Sequence, residues 1–464
     1  MKHFDKFAEY SIVCMNYRIL RRIGDMKHLL TIVWIALAAN LTAQQKQALT
    51  IEEALTIAMK NNVQVISAQN DYNSASANVL PKTVGKILPT VDASMRASRT
   101  MMNTLSGTSP LTNRDTTTGS ASNSYSYSLT ANYVLFDGFR NWTEASQARL
   151  DESAARYNFE RTRQSVTLDV YEAYINVLKN QQLLRINEEN LKRSEEQLKR
   201  LEERNKLGAQ ILSDVYKQRV QVGSDKLSVS KSKNNLKTSK ASLASLIGID
   251  VNSDLELKEL IIASSLDVNQ MNFDEAYGQA LQNRKDYLAS ESRVQSARRT
   301  VSIARSGFYP TVNAFASYQW GDKNLKFANY SNNDNTSIGL SVSIPIFSGF
   351  ETNSRVIQQD QSLQTARSNA ESTKRKVALD VKIALLNMQT AYDNMKLSEE
   401  NVKAAKEDLR LATEKYNLGA GTILDQITAN ASYAAAEANY TQSAYDFVYA
   451  KQQYLLAVGT LDVQ

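Results

Sequence analysis

The chain has 464 residues, of which 22% are charged and 42% hydrophobic, with a net charge of +6 and five prolines. So mild a basic excess, half of it on residues 1–43, excludes a nucleic-acid footprint, and proline at about 1% against ~5% in ordinary proteins argues for long unbroken helices. Cys14, His3 and His28 all precede residue 44, so the rest of the chain lacks thiolate chemistry, disulfides, histidine-based triads and the usual zinc sites; no metal, cofactor or enzyme activity is expected.

Lys27-His28, the apolar run Leu29 to Ala39 and the small-residue site Leu41-Thr42-Ala43 have the three parts of a cleavable signal peptide, assigned to residues 1–43. The run is short of the ~20 residues that cross a bilayer. Met26 would be a normal start for such a signal, which marks residues 1–25 as an over-extended start.

From Thr50 to Lys86 the pattern is mostly helical, with Thr50 and Glu53 placed as a capping box and Pro81 expected to loosen the last turns. Pro89 opens an extended segment, where Val91, Ala93, Met95 and Ala97 alternate with Asp92, Ser94, Arg96 and Ser98. A polar loop, Met102 to Asn123, leads to a second strand with Tyr125, Tyr127, Leu129, Ala131, Tyr133 and Leu135 on one face. Phe136-Asp137-Gly138-Phe139 then turns into a helix of about 65 residues, close to ~100 Å at 1.5 Å per residue. It reaches Gly208, and a shorter helix, Ser213 to Ile247, returns and stops at Gly248.

Residues 44–250 form a first structural repeat, 251–271 a linker and 272–464 a second repeat. Phe273-Asp274-Glu275-Ala276 parallels Ile51-Glu52-Glu53-Ala54, and Tyr309-Pro310-Thr311-Val312 parallels Leu88-Pro89-Thr90-Val91. Strands from Val312 to Trp320 and Ser337 to Phe347 flank a polar loop, and Phe347-Ser348-Gly349-Phe350 repeats the turn into a long helix. Val381, Met388, Met395, Val402, Leu409 and Tyr416 recur every seventh residue, as Val170, Val177, Leu184, Leu191 and Leu198 do in the first repeat. That is the apolar seam of a helix packed against another along its length. Ala384, Ala391, Ser398, Ala405 and Ala412 beside it allow close approach.

The predicted fold is mixed α and β: long antiparallel α-helical hairpins forming a helical barrel, plus four strands per chain. Strands of about 10 residues with one apolar and one small-polar face suit a bilayer, and Trp142 and Trp320 lie at strand ends where aromatic girdles are expected. Four strands cannot close a barrel, and eight leave an interior filled by side chains. Three chains give a 12-stranded transmembrane β-barrel, so a homotrimer in outer membrane lipid is expected.

The duplicated half, the proline at each first strand, the Phe-x-Gly-Phe turns and the hairpin from Tyr416 and Gly419 to Asp425 resemble the TolC-like outer membrane efflux proteins. The resemblance covers about residues 48 to 460. It implies an exit duct in the outer membrane of a Gram-negative bacterium, with its helical part in the periplasm. The duct would serve a tripartite efflux pump or a type I secretion system, docking on a periplasmic adaptor and an inner-membrane transporter. A periplasmic coiled-coil structural or adaptor protein is the alternative, though it would have no use for four amphipathic strands.

Gly208 and Gly419 sit where a helix must end and reverse. A turn alone accounts for them. The functional expectation is that the tips, Lys206, Leu207, Gly208, Ala209 and Gln210 with Asn417, Leu418, Gly419, Ala420 and Gly421, close the tunnel and meet the adaptor. Asp214 and Asp425 fall in the first turn of the returning helices, where the helix dipole favours a carboxylate. The resemblance also implies that an acid at Asp425 lines the pore constriction, with Asp214 as its counterpart. One turn on, where the family can carry a second acid, this chain has Thr428. The charged run Arg185 to Lys206 reads as a solvated face, with Glu188 and Lys192, Glu195 and Lys199, and Glu196 and Arg200 at supporting spacing.

Overall fold

The computed structural model describes residues 48–106, 116–260, 271–323 and 334–462. The expected signal peptide, residues 261–270 of the linker and the middle of both strand loops lie outside the described residues.

The first repeat opens with three helices in series: α1 (Ile51–Asn61), α2 (Val63–Ala77) and α3 (Val79–Thr83). Thr50 and Glu53 form the reciprocal capping box. The segment is not one helix, because Asn62 is extended (φ −68, ψ 127) and caps α2 through Gln64 N–H, while its amide donates to Leu246 O at 3.0 Å. The second repeat breaks at the equivalent place, between α6 (Phe273–Asn283) and α7 (Lys285–Arg305), at Arg284.

Strands β1 (Thr90–Ser106) and β2 (Thr116–Phe136) are 17 and 21 residues long, roughly twice the expected length, and most of the supposed loop Met102 to Asn123 is ladder. Strands β3 (Thr311–Asp322) and β4 (Asp334–Ser343) complete an antiparallel sheet of order β1-β2-β3-β4. The fourth strand ends at Ser343 rather than Phe347, two residues before Pro345, which has no N–H for a ladder. Register keeps the two faces distinct: Val91 lies opposite Ala131, Ala131 opposite Ala316, and Ala316 opposite Ile338. On the other face Ser94 and Ser128 share a 2.7 Å hydrogen bond. Trp142 is exposed, as an aromatic girdle requires, but Trp320 is buried at the sheet's end, opposite Tyr127 and Asp334.

At each strand-to-helix junction a glycine and the following phenylalanine are both left-handed: Gly138 (φ 67) with Phe139 (φ 64), and Gly349 (φ 60) with Phe350 (φ 62). Each pair is braced by an edge-on aromatic contact, Phe136 with Phe139 at 5.4 Å and Phe347 with Phe350 at 5.6 Å. The long helices follow, α4 (Arg140–Lys206) and α8 (Glu351–Asn417), each of 67 residues, and then the returning helices α5 (Leu212–Ile247) and α9 (Ile423–Val458), each of 36. Gly248 and Gly459 end the returning helices with φ of 75 and 83 and abut Asn61 and Arg284, so each stops against the break in its own repeat.

The helices lie in rows of four. On the strand side the order is α2–α4–α7–α8, and on the tip side α5–α4–α9–α8. Thus α4 is internal throughout and α8 forms an edge throughout. The two are equally long, yet α4 buries fourteen residues and α8 eight. The largest core cluster lies between the tiers around Tyr174, whose hydroxyl approaches Leu49 O at 2.8 Å and Lys258 O at 2.7 Å. This fastens the parallel bridge Leu49–Leu257 to α4.

Candidate functional site at the hairpin tips

The two tips have the same backbone design. Gly208 and Gly419 adopt φ of 75 and 74, and the bonds Ala209 N–H to Arg204 O and Ala420 N–H to Lys415 O, both 2.9 Å, close the helix ends. A Cβ on either glycine would meet nothing within 4 Å, so the conformation, not crowding, calls for glycine. Leu207 and Leu418 project at 83% and 84% exposure, an apolar pair at the extreme ends of the hairpins.

The tips lean on one another. Tyr416 donates its hydroxyl hydrogen to Gln210 Oε1 at 3.2 Å, and Leu201, Val215 and Ile423 form a small core with Leu198, Tyr416 and Ile427 against it. The carboxylates differ although their positions correspond. The N-cap of α9 is Thr422, which forms a capping box with Asp425: the carboxylate accepts from Thr422 N–H at 2.9 Å and Oγ1 at 2.8 Å. Those hydrogen bonds, the backbone one first, hold the Asp425 carboxyl below its ordinary value. Asp425 is exposed, and so is Thr428 one turn on.

The N-cap of α5 is Ile211, which cannot cap. Asp214 is instead buried and accepts from Gln210 Nε2 at 2.6 Å and Lys217 Nζ at 3.3 Å. Asp425 is therefore open to solvent within one chain, whereas Asp214 is occupied.

Above the tips lies a polar layer that the heptad reading missed. Asn190, Ser194 and Gln197 on α4 are buried between α5 and α9. Asn190 donates to Asp225 Oδ1 at 3.0 Å and accepts from Asn430 at 2.8 Å, and Gln197 donates to Gln426 at 3.0 Å. Arg193 donates to Asn430 at 3.0 Å and lies over the Tyr433 ring. A cavity of about 150 Å³ remains there, lined by Arg193, Gln197, Gln218 and Gln426. The predicted seam residues Leu184, Leu191 and Leu198 are only half-buried, because α4 serves a neighbour on each side.

The intrahelical charge pairs expected from Arg185 to Lys206 give way to cross-helix pairs. Glu188 pairs with Lys233 at 3.3 Å, Glu195 with Lys226 at 3.1 Å and Glu202 with Arg219 at 2.8 Å. The antiparallel α5 brings its cations to that face. The signal for the polar layer was the helical spacing of Asn190, Ser194, Gln197 and Leu201 inside the charged run.

Among the described residues no cluster of acidic, histidine or cysteine side chains could hold a metal, and no helix is long and apolar enough to cross a membrane.

A profile of the outer membrane efflux protein family matches residues 54–249 and 276–460. The outer membrane efflux protein BepC of Brucella suis is 24% identical over 91% of this chain and 88% of its own length. The outer membrane protein TolC of Vibrio cholerae is 22% identical, over 70% and 74%. Among solved structures, the CmeC outer membrane channel of Campylobacter jejuni superposes with a TM-score of 0.75 at 18% identity, covering 89% of this chain and 86% of that one. The open state of the MtrE outer membrane channel of Neisseria gonorrhoeae superposes with a TM-score of 0.71 at 21% identity, covering 89% and 90%.

Proposed function

The chain belongs to the outer membrane efflux protein family, and from that premise we propose that three copies close into one duct. At the coarser level the protein is an outer membrane efflux channel of a Gram-negative bacterium, and its family is one of channels, not enzymes. In the finer reading three sheets join as a 12-stranded barrel, with a helical barrel in the periplasm built from the two repeats, 44–250 and 272–464.

The observation that carries this reading is that every row ends open in the same sense. One edge is always from the first repeat (β1, α2, α5), and the other is always β4 or α8. Such edges complement each other between copies, which is the heterologous contact that generates a ring. Apolar side chains stand uncovered on both: Leu379, Ile383, Leu386 and Leu397 on α8, and Val220 and Leu227 on α5. The sheet's apolar face, with Val91, Met95, Ile338, Leu340 and Val342 exposed, suits lipid.

The tips are the periplasmic mouth. Lys206 to Ala209 and Asn417 to Gly421 would dock on the adaptor through Leu207 and Leu418, with the inner-membrane transporter beyond. Asp425 would set three carboxylates around the axis, and Thr428 follows one turn on. Asp214, already paired, would support the mouth from the side. The duct would pass small molecules from a tripartite pump or proteins from a type I system.

The test is the mass of the detergent-purified protein together with its ion conductance in a planar bilayer. A trimer that conducts is expected. A monomer that stays soluble without detergent and carries no current would overturn the proposal.

A further inference from the structure

Beside the junction of sheet and helices lies a groove of about 800 Å³, between the end of β2, the Lys86-Ile87 turn and the first turns of α4. Its volume is in the ~300–1,000 Å³ range of ligand sites. Tyr133 and Phe136 line it; they lie opposite Ala314 and Val312 of the apolar face, the register slipping between Val134 and Phe136. The groove is thus continuous with the strand face that suits lipid. Its apolar wall is exposed: Trp142 at 74%, Phe139 at 63% and Ile87 at 59%.

Its rim is basic. Lys82, Lys86 and Arg140 converge on the single carboxylate of Glu144, at 3.0, 3.9 and 2.9 Å. Arg149, on the groove wall, is exposed and makes no ion pair among the described residues. With Asp137, which also lines the groove, counted beside Glu144, four cations face two carboxylates and leave a positive surplus beside an aromatic wall. That is the pairing of side chains found where proteins meet lipid headgroups.

The duplication supplies an internal control. The second repeat keeps the junction, with Gly349 and Phe350 for Gly138 and Phe139, but not the groove chemistry. Trp142 corresponds to Asn353, Arg149 to Asp360 and Lys86 to Gly307. A requirement of the fold would fall on both repeats; these residues occur in one.

We propose that this groove binds an anionic phospholipid of the periplasmic leaflet, with the phosphate between Lys86 and Arg149 and the upper acyl chain along Trp142 and Phe139. The assignment rests on the reading that the strands cross the outer membrane. It gives one lipid site per chain, where an unselective aromatic belt would serve both repeats alike.

The experiment uses the full chain in a W34F/W320F background, where Trp142 is the one remaining tryptophan. The protein is reconstituted in phosphatidylethanolamine vesicles with a minor fraction of phosphatidylglycerol, and either lipid carries brominated acyl chains. Brominated phosphatidylglycerol is expected to quench Trp142 more strongly than brominated phosphatidylethanolamine at equal mole fraction. The preference should fall about fivefold for each of Lys86→Gln and Arg149→Gln, and millimolar inorganic phosphate should not reproduce their effect. Conductance measured on the same vesicles is expected to persist in both variants. Equal quenching by the two lipids in a conducting channel overturns the site and leaves an unselective belt. Absence of quenching in a conducting channel also overturns it, because a neighbouring copy then covers the groove. Vesicles with neither current nor quenching overturn the membrane reading, and the site with it.

Discussion

Gly138 packs so closely on Tyr309 that a Cβ on the glycine would stand 2.8 Å from the tyrosine Cβ and 2.9 Å from Ser306 O. Its counterpart Gly349 has the same left-handed backbone, yet a Cβ there would meet nothing within 4 Å. The first contact joins the two repeats inside one chain. In the proposed trimer, the first repeat of a neighbouring copy would make the equivalent contact at the open place beside Gly349.

Three alanine substitutions separate conformation from crowding. Gly208→Ala, in open space at similar φ, should cost only the left-handed penalty of about 1–2 kcal/mol. Gly138→Ala should cost clearly more, because Tyr309 must move. Gly349→Ala should match Gly138→Ala in thermal midpoint and in the fraction of heat-modifiable trimer on gels. If it matches Gly208→Ala instead, no neighbour sits there.

Arg284 is 1% exposed and holds Asp286 at 2.6 Å and Asp380 at 2.9 Å, tying the α6–α7 break to α8. Arg284→Ala strands two carboxylates in a partly buried site and should destabilise by about 3–5 kcal/mol, the usual cost of breaking a buried pair. Calorimetry of the detergent-solubilised protein would measure it. Burial pushes the Asp286 carboxyl up, but the hydrogen bond and charge of Arg284 outweigh this and hold it below its ordinary value. The stabilisation is therefore complete above the ordinary carboxylate value of about 3.9 and is lost as pH falls through the lower folded value. Asp286→Asn should be the less stable protein at neutral pH and should show a shallower acid-unfolding curve.

At the mouth, Asp425→Asn should lower the cation-to-anion permeability ratio in bilayer recordings, whereas Asp214→Asn should leave it nearly unchanged. Thr422→Ala removes the cap of α9 and should cost about 1 kcal/mol while leaving the selectivity charge in place. A ratio unmoved by Asp425→Asn would remove this residue from the constriction.

Gln197 and Gln426 meet at 3.0 Å with both side chains buried. Gln426→Leu alone leaves the Gln197 Nε2 donor unpaired and should cost about 1–3 kcal/mol, while the double change to leucine should recover only part of that, because Arg200 and Thr413 then lose their own bonds to the pair. A double-mutant cycle on thermal stability measures the coupling; additive losses would mean that the pair is not a unit.

The long helices, the tip glycines and the order of elements were legible because they rest on signals that residues carry individually: heptad spacing, Gly208 and Gly419, and the Thr50–Glu53 box. The capping box at Thr422 and Asp425 went unread, although a threonine stands three residues ahead of the acid. The outer half of the β1–β2 ribbon was not legible, because serine, threonine and asparagine form ladders there without an apolar alternation to mark them. Nor were the breaks at Asn62 and Arg284, which lack glycine and proline and depend on tertiary contacts with Leu246 and Asp380. Side chains at identical positions in the two tips also met different fates. Ile211 in place of threonine released Asp214 from capping, and Gln210 took it up.

The matched helix lengths, 67 with 67 and 36 with 36, restrict how such a gene can evolve. An insertion in one long helix would lift its tip out of level with the other and shift every contact below it by a fraction of a turn. The reach of this protein from its membrane can therefore change only by matched insertions of whole heptads in the long and the returning helix of both repeats.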